Sequence, residues 1–207
     1  MLEKINKYTQ RDMAEDEVFI FNVKLCDNEI DRDGERFSHD ALVKLAEMYV
    51  GKTGITDHNP KANNQIARIF EAEVAAEARW TSYGAAYEYV SAKAYMIRTE
   101  ANANLIAEIE GGIKKEVSVS CTTSSKRCSV CGADKKNSQC PHVKGKAYGG
   151  KKCHTVLSDI ADVYEWSFVA VPAQIQAGVT SAGNRKSFSR QLSAGENEEF
   201  DERCYKI

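Results

Sequence analysis

The sequence predicts an α+β fold: a small, mostly antiparallel β-barrel flanked by helices, with a zinc-binding insertion. Three observations carry this. Stretches alternating apolar and polar residues with period two recur along the chain, each the length of one strand. Two segments only combine helical periodicity with a capping residue. One block, residues 122–154, breaks both patterns with a Cys, Lys, Gly and Ser composition almost free of large apolar side chains. At 207 residues the chain can bury one sizeable core. A formal net charge of −2 gives no global attraction to nucleic acid or anionic membrane. No apolar run is long enough to cross a bilayer, and the first seven residues lack the apolar centre of a signal peptide, so a reducing, cytosolic setting is expected. The seven cysteines then read as thiols or metal ligands rather than disulfides.

In chain order, residues 1–16 are polar and charged and read as an N-terminal arm. Residues 17–25, rich in β-branched and aromatic side chains, read as a first strand. Residues 27–34 are turn chemistry; the EF-hand-like placing of Glu29, Asp31, Asp33 and Asp40 around Gly34 is a decoy, because a strand precedes the loop where a helix is required. Ser38 caps a helix that turns Leu42, Leu45, Ala46 and Tyr49 inward and stops at Gly51. His58 follows, beside the turn residue Pro60. Residues 65–74 and 85–96 both alternate and form an expected antiparallel pair. Thr99 caps a second helix over 99–110, ended by Gly111 or Gly112 in the left-handed conformation. A short strand then sets Glu116, Ser118 and Ser120 on one face and Val117, Val119 and Cys121 on the other. Residues 159–173 are the most strand-like run in the chain, with Val163, Glu165, Ser167, Val169 and Val171 expected on one face and Tyr164, Trp166 and Phe168 on the other. The folded domain spans 17–180, and residues 181–207 read as a flexible C-terminal tail with room for a short helix.

A lone acid among valines is either paired or at the edge of a cavity. With Glu165 as that acid, Ser118 or Ser120 and His58 complete the set that serine acyl transfer needs: nucleophile, general base, and a carboxylate that fixes the imidazole tautomer. Asp57, Asp159 and Asp162 are alternatives for the acid. Of the four histidines, His39 falls in a first helical turn and His142 and His154 in the Cys-rich block, which leaves His58 as the base. Cys121 points away from the serines and is a poor nucleophile candidate. Backbone N–H groups near the serine, helped by Lys126 or Arg127, are candidates for an oxyanion hole.

In the insertion, Cys128-x2-Cys131-x8-Cys140-x-His142 has the spacing of a closed tetrahedral zinc site, with Cys153 as the alternative to His142 for the fourth ligand. A segment so poor in apolar residues needs such a site to order it. Its lysines, at 126, 135, 136, 144, 146, 151 and 152, make it locally basic, without the aromatic interleaving of sequence-specific nucleic-acid binding.

Four stretches in order, Asp31-Arg32-Asp33-Gly34-Glu35-Arg36-Phe37-Ser38, Asp57-His58, Glu116-Val117-Ser118-Val119 and Glu165-x-Ser167-x-Val169-x-x-Pro172-Ala173, give the chain a resemblance to the tailed-phage prohead maturation serine proteases. That family shares the fold of the herpesvirus assemblin proteases. The resemblance covers roughly residues 17–179 and implies Ser118 as nucleophile, His58 as base and Glu165 as the third member. The family usually has a small residue, most often glycine, two positions after the serine; here Ser120 stands there. The resemblance further implies scaffold protein and major capsid protein as substrates alongside self-cleavage, and a location in the host cytoplasm inside the immature procapsid; the Cys/His spacing of the insertion implies a structural Zn2+ and no catalytic cofactor, and self-association is an option. The rival expectation is a non-enzymatic capsid-assembly or nucleic-acid-binding module working through the zinc insertion.

Overall fold

The computed structural model describes residues 1–136 and 138–183. Strand β1 (Val18–Asp27), following helix α1 (Leu2–Ile5), is buried along nearly its whole length, with Phe19, Phe21, Val23 and Leu25 at 0–1 % exposure. After β2 (Glu35–Phe37), helix α2 (His39–Tyr49) and β3 (Thr53–Thr56), the long strands β4 (Ala67–Trp80) and β5 (Ala86–Ile97) form the expected antiparallel pair. Helix α3 (Glu100–Glu110) leads into β6 (Val117–Cys128). The hairpin β7 (Ala147–Tyr148) and β8 (Lys151–Lys152) stands apart in a sheet of its own, and β9 (Thr155–Phe168) and β10 (Gly178–Ala182) complete the main sheet.

The path across that eight-stranded sheet is β10-β1-β5-β4-β3-β9-β2. Antiparallel β6 runs along one side of β9; parallel β2 and β3 share the other side, at opposite ends. The fold is therefore α+β with a mostly antiparallel sheet, but the sheet is not a closed barrel. Strand β10 meets the residue before β6 at a single bridge, Glu116 to Gly178. Beyond that bridge the described residues of β10 pair with β1 alone, so no closing ladder forms.

Both long helices begin as the sequence predicts. Ser38 Oγ accepts from Ala41 N–H at 3.2 Å and Thr99 Oγ from Asn102 N–H at 3.3 Å. Helix α2 buries Leu42, Leu45 and Tyr49 completely against β9, β4 and β5, and α3 buries Ile106 and Ile109. Gly112, at φ +73, makes the left-handed turn out of α3; Gly111 stays right-handed. Trp166 is fully buried, and a Cβ at Gly54 would lie 2.4 Å from its ring, so only glycine lets β3 lie against β9 there.

Three expectations change. The first sixteen residues dock rather than hang free, because Ile5 is fully buried with Val18, Phe70 and Tyr95 in a second small core. Ser181 and Ala182, assigned to the tail, extend β10. The remaining tail, with its expected helix, lies outside the described residues. Finally, the face assignment over 159–173 breaks at Tyr164. Ser120 pairs with Glu165 but Cys121 pairs with Val163, so Tyr164 is an extra residue in β9, and a second extra residue, Ala161, lies between the Thr122–Asp162 and Thr123–Ile160 pairs. The first bulge turns Val163 into the core with Trp166 and Phe168 and leaves Tyr164 half exposed.

Candidate active site

The bulge is what separates Glu165 and Ser167 from Val163, and β9 ends at Phe168 before Val169 and Val171. Residues two apart on a strand share a face, and directly opposite residues on a neighbouring strand share it too. Ser118 is opposite Ser167 and Ser120 is opposite Glu165, so two serines of β6 and the Glu-x-Ser pair of β9 occupy one face at one end of the strand pair. Val117, Val119, Trp166 and Phe168 fill the core on the other face.

His58 reaches this face from the far side of β9. Strand β3 runs parallel to β9 as far as Thr56, opposite Phe168. Asp57 and His58 then adopt φ of 53° and 49°, the left-handed region that Asp and His tolerate better than most residues. The turn is held by Asp57 N–H on the Phe168 carbonyl and Asn59 N–H on the Thr56 carbonyl, each at 3.0 Å. It swings the imidazole back over the sheet, where Nδ1 lies 2.7 Å from Glu165 Oε1. Against a carboxylate, Nδ1 carries the proton, which leaves the Nε2 lone pair available. The ring is 40 % exposed while the Glu165 side chain is 10 % exposed, so a nearly buried acid holds a solvent-facing base.

Ser167 closes the network and was not assigned a role from the sequence. Its hydroxyl donates to Glu165 Oε2 at 2.8 Å and accepts the His58 backbone N–H at 3.0 Å. Both carboxylate oxygens of Glu165 are thereby engaged, and Ser167 is fully buried. The signal was present: Glu-x-Ser on a strand puts a hydroxyl beside the acid. A third support comes from Tyr49, whose hydroxyl donates to the Ser120 carbonyl at 3.1 Å, at the bulge.

Ser118 and Ser120 are partly exposed, and neither hydroxyl has a hydrogen-bond partner among the described residues. A cleft of about 380 Å³, lined by Thr56, Asp57, Lys114, Glu116, Phe168 and Val169, opens beside the Val117–Phe168 row. That row is next to the Ser118–Ser167 pair, with Ser120 and Glu165 two residues further along.

Of the acids considered, Glu165 alone meets His58 among the described residues; Asp57, Asp159 and Asp162 are exposed, and Asp162 caps the backbone N–H of Val163 instead. The basic side chains Lys126 and Arg127 are not near the serines. Eight residues of strand put Lys126 about 26 Å from Ser118, where it faces Glu35 at 3.8 Å, and Arg127 bonds Ser125. The cation at the cleft is Lys114, which pairs with Glu108 at 3.6 Å. Cys121 packs against the core, and burial pushes its thiol up to about 11.

At the opposite end of the strand pair, Cys128 ends β6 and Cys153 stands just before β9. One donor atom from each of Cys128, Cys131, Cys140 and His142 lies within 4.8 Å of all the others, so these four residues could hold a metal ion. Cys131 and Cys140 sulfurs are 3.6 Å apart, and Cys140 Sγ is 3.7 Å from His142 Nδ1. Burial pushes the Cys128 thiol up, but backbone N–H groups of Cys131 and Val130 and the Cys140 and Cys131 side chains outweigh it and bring it to about 6. Cys153 Sγ is 3.9 Å from Cys128 Sγ and buried, but stands outside the four-residue set. His154 faces elsewhere, accepting from Arg36 Nε at 3.0 Å. Comparison of the chain with protein-family models, with curated proteins and with solved structures finds no match.

Proposed function

We propose that this chain is a serine endopeptidase of the prohead-maturation type with an assemblin-like fold, in which Ser118 is the nucleophile, His58 the general base and Glu165 the orienting acid. The observation that carries the reading is the His58 imidazole seated on Glu165 at 2.7 Å, an acid that shares one face of the β6–β9 pair with Ser118. In the reaction, His58 Nε2 takes the Ser118 proton as Oγ attacks the scissile carbonyl. The tetrahedral adduct collapses as the imidazolium gives that proton to the leaving amine. Water, deprotonated by the same nitrogen, then hydrolyses the acyl-enzyme and restores Ser118. Glu165 stabilises the imidazolium and holds the tautomer, and Ser167 holds Glu165. The cleft is lined by neither serine, but its residues Asp57 and Glu116 stand one residue from His58 and two from Ser118, which favours Ser118 over Ser120 as the attacking residue.

The expected substrates are scaffold and major capsid protein segments inside the immature procapsid in the host cytoplasm, and the chain itself. The Cys-rich insertion would bind Zn2+. Tetrahedral zinc with Zn–S bonds of about 2.3 Å sets its ligands about 3.8 Å apart, close to the 3.6 and 3.7 Å found. Four protein donors leave no open position, so the ion would be structural.

The test is intact-mass analysis of the purified chain after prolonged incubation, alone and with denatured capsid protein. Cleavage by the wild type and by Ser120→Ala, abolished by Ser118→Ala and His58→Ala, is the expected result. Cleavage that survives Ser118→Ala would transfer the role to another residue, and a binding-only module would cleave in no sample.

A further inference from the structure

The charge of the molecule is divided between the insertion and the remainder of the chain. Residues 122–154 carry eight Lys and Arg against one acid, a net +7, while the rest of the chain carries 20 against 29, a net −9. The overall −2 conceals this. Not all the cations are available: Lys126 and Lys144 both approach Glu35, at 3.8 and 3.6 Å, and Lys136 Nζ donates to the Thr123 carbonyl. Lys146, Lys151 and Lys152 are exposed and have no acidic partner among the described residues.

Those three lie on a braced hairpin, Lys146 and Lys151 on the face of Tyr148 and Lys152 on the other, so that the cations line both sides of its exposed edge. Lys151 and Lys152 form β8, which pairs with Ala147 and Tyr148 of β7 around the Gly149-Gly150 turn. Lys146 and Cys153 face each other through the Cys153 N–H to Lys146 carbonyl bond of 2.8 Å, and Gly145 N–H bonds the Cys153 carbonyl at 2.8 Å. The Tyr148 ring packs edge-on to His142, centroids 4.6 Å apart, and its hydroxyl accepts from Val143 N–H at 3.0 Å. The hairpin is thus pinned directly to the Cys/His cluster, and its lysines are held together by more than a loop.

From this geometry we infer that the β7–β8 hairpin is a sequence-independent binding site for the phosphate backbone of nucleic acid. An acidic protein surface is the other polyanion that could meet it. Protein–protein contacts, however, are poor in lysine and rich in aromatic, Met and Arg side chains. This hairpin offers lysines and, beyond the occupied Tyr148, no aromatic anchor. Regularly spaced phosphates are matched by ammonium point charges without any apolar complement. The acidic remainder repels the same polyanion, so nucleic acid contacts the insertion end only, some ten residues of β6 away from Ser118, about 33 Å. This site does not depend on catalysis: it holds whether or not the other end of the strand pair cleaves peptides.

The experiment is fluorescence anisotropy of a labelled 30-base-pair duplex of mixed sequence titrated with the full chain between roughly 0.05 and 0.2 M salt, the range over which phosphate contacts are read. Expected are binding in the micromolar range near 0.15 M salt, indifference to sequence, and a linear fall of log affinity with log salt. Replacing Lys146, Lys151 and Lys152 together by Gln should flatten that slope by about 3 and weaken binding at least tenfold. The charge-matched replacement of Lys7, Lys44 and Lys61 should leave the slope within about 1. Circular dichroism and metal content identify any variant that has lost its fold, and in that case Lys151→Gln alone, expected to flatten the slope by about 1, gives the reading. No binding at the lowest salt, equal loss in the two triple variants, or binding of poly-aspartate as tight as that of the duplex would each overturn the inference.

Discussion

The two ends of the β6–β9 pair are held by different physics. At the Ser118 end, order comes from the sheet and from what lies beneath it: Trp166 and Phe168 at 0 and 4 % exposure, with the Glu165, Ser167 and His58 network above. Across the insertion that leaves the Cys128 end, Cys128 and Cys153 are the only buried apolar side chains among the described residues 128–154, and four donor side chains converge instead. A core can support a site only where apolar area is available, and an insertion without it must be tied by something else. The difference teaches where each end is vulnerable: one to packing and hydrogen-bond changes, the other to loss of a ligand.

The sharpest way to break the comparison is at the core. Trp166→Ala removes a fully buried indole and should cost about 3–5 kcal/mol in chemical denaturation, unfolding the whole sheet rather than the insertion alone. A smaller and local effect is expected at the other end. Chelation, or Cys131→Ser, should raise amide exchange over residues 129–153 while residues 163–168 stay protected; global unfolding on chelation would show that the ends are one unit. In the same samples, metal content should fall more in His142→Ala than in Cys153→Ser, because His142 belongs to the converging set. If Ser118 cleaves as proposed, Ser167→Ala should lower that rate about 10- to 100-fold under conditions where the variant is still folded, with a stability loss of about 1–3 kcal/mol from the unpaired Glu165 oxygen, and Ser167→Thr should restore part of the rate. A rate that falls only in step with the unfolded fraction would make Ser167 merely structural. The smallest effect is a null: with its thiol near 11, about 0.1 % of Cys121 is thiolate at pH 8, so iodoacetamide should leave it unlabelled in the folded chain.

Much of this was legible in the sequence, unevenly. Both long helices could be read because their caps and apolar spacing are local signals: Ser38 and Thr99 accept the bonds that their positions predict. The Cys128, Cys131, Cys140 and His142 grouping was legible because metal spacing is a pattern of residue types. The face assignment of β9 was not, because a bulge at Tyr164 leaves no mark in an alternation of apolar residues. The open sheet likewise depends on how far β10 extends along its neighbours, a tertiary matter. Lys126 and Arg127 looked close to the serine only because the length of β6 could not be read; twelve residues of strand carry them away. Within the candidate site, residue types named Glu165 and His58, but the choice of Glu165 over Asp57 required the left-handed turn that aims the imidazole.

The most direct test of the central claim is labelling with a serine-directed fluorophosphonate, located by peptide mass spectrometry. The account predicts one adduct, on Ser118, lost in His58→Ala and retained in Cys128→Ser. An adduct on Ser120, or one indifferent to His58, would contradict it.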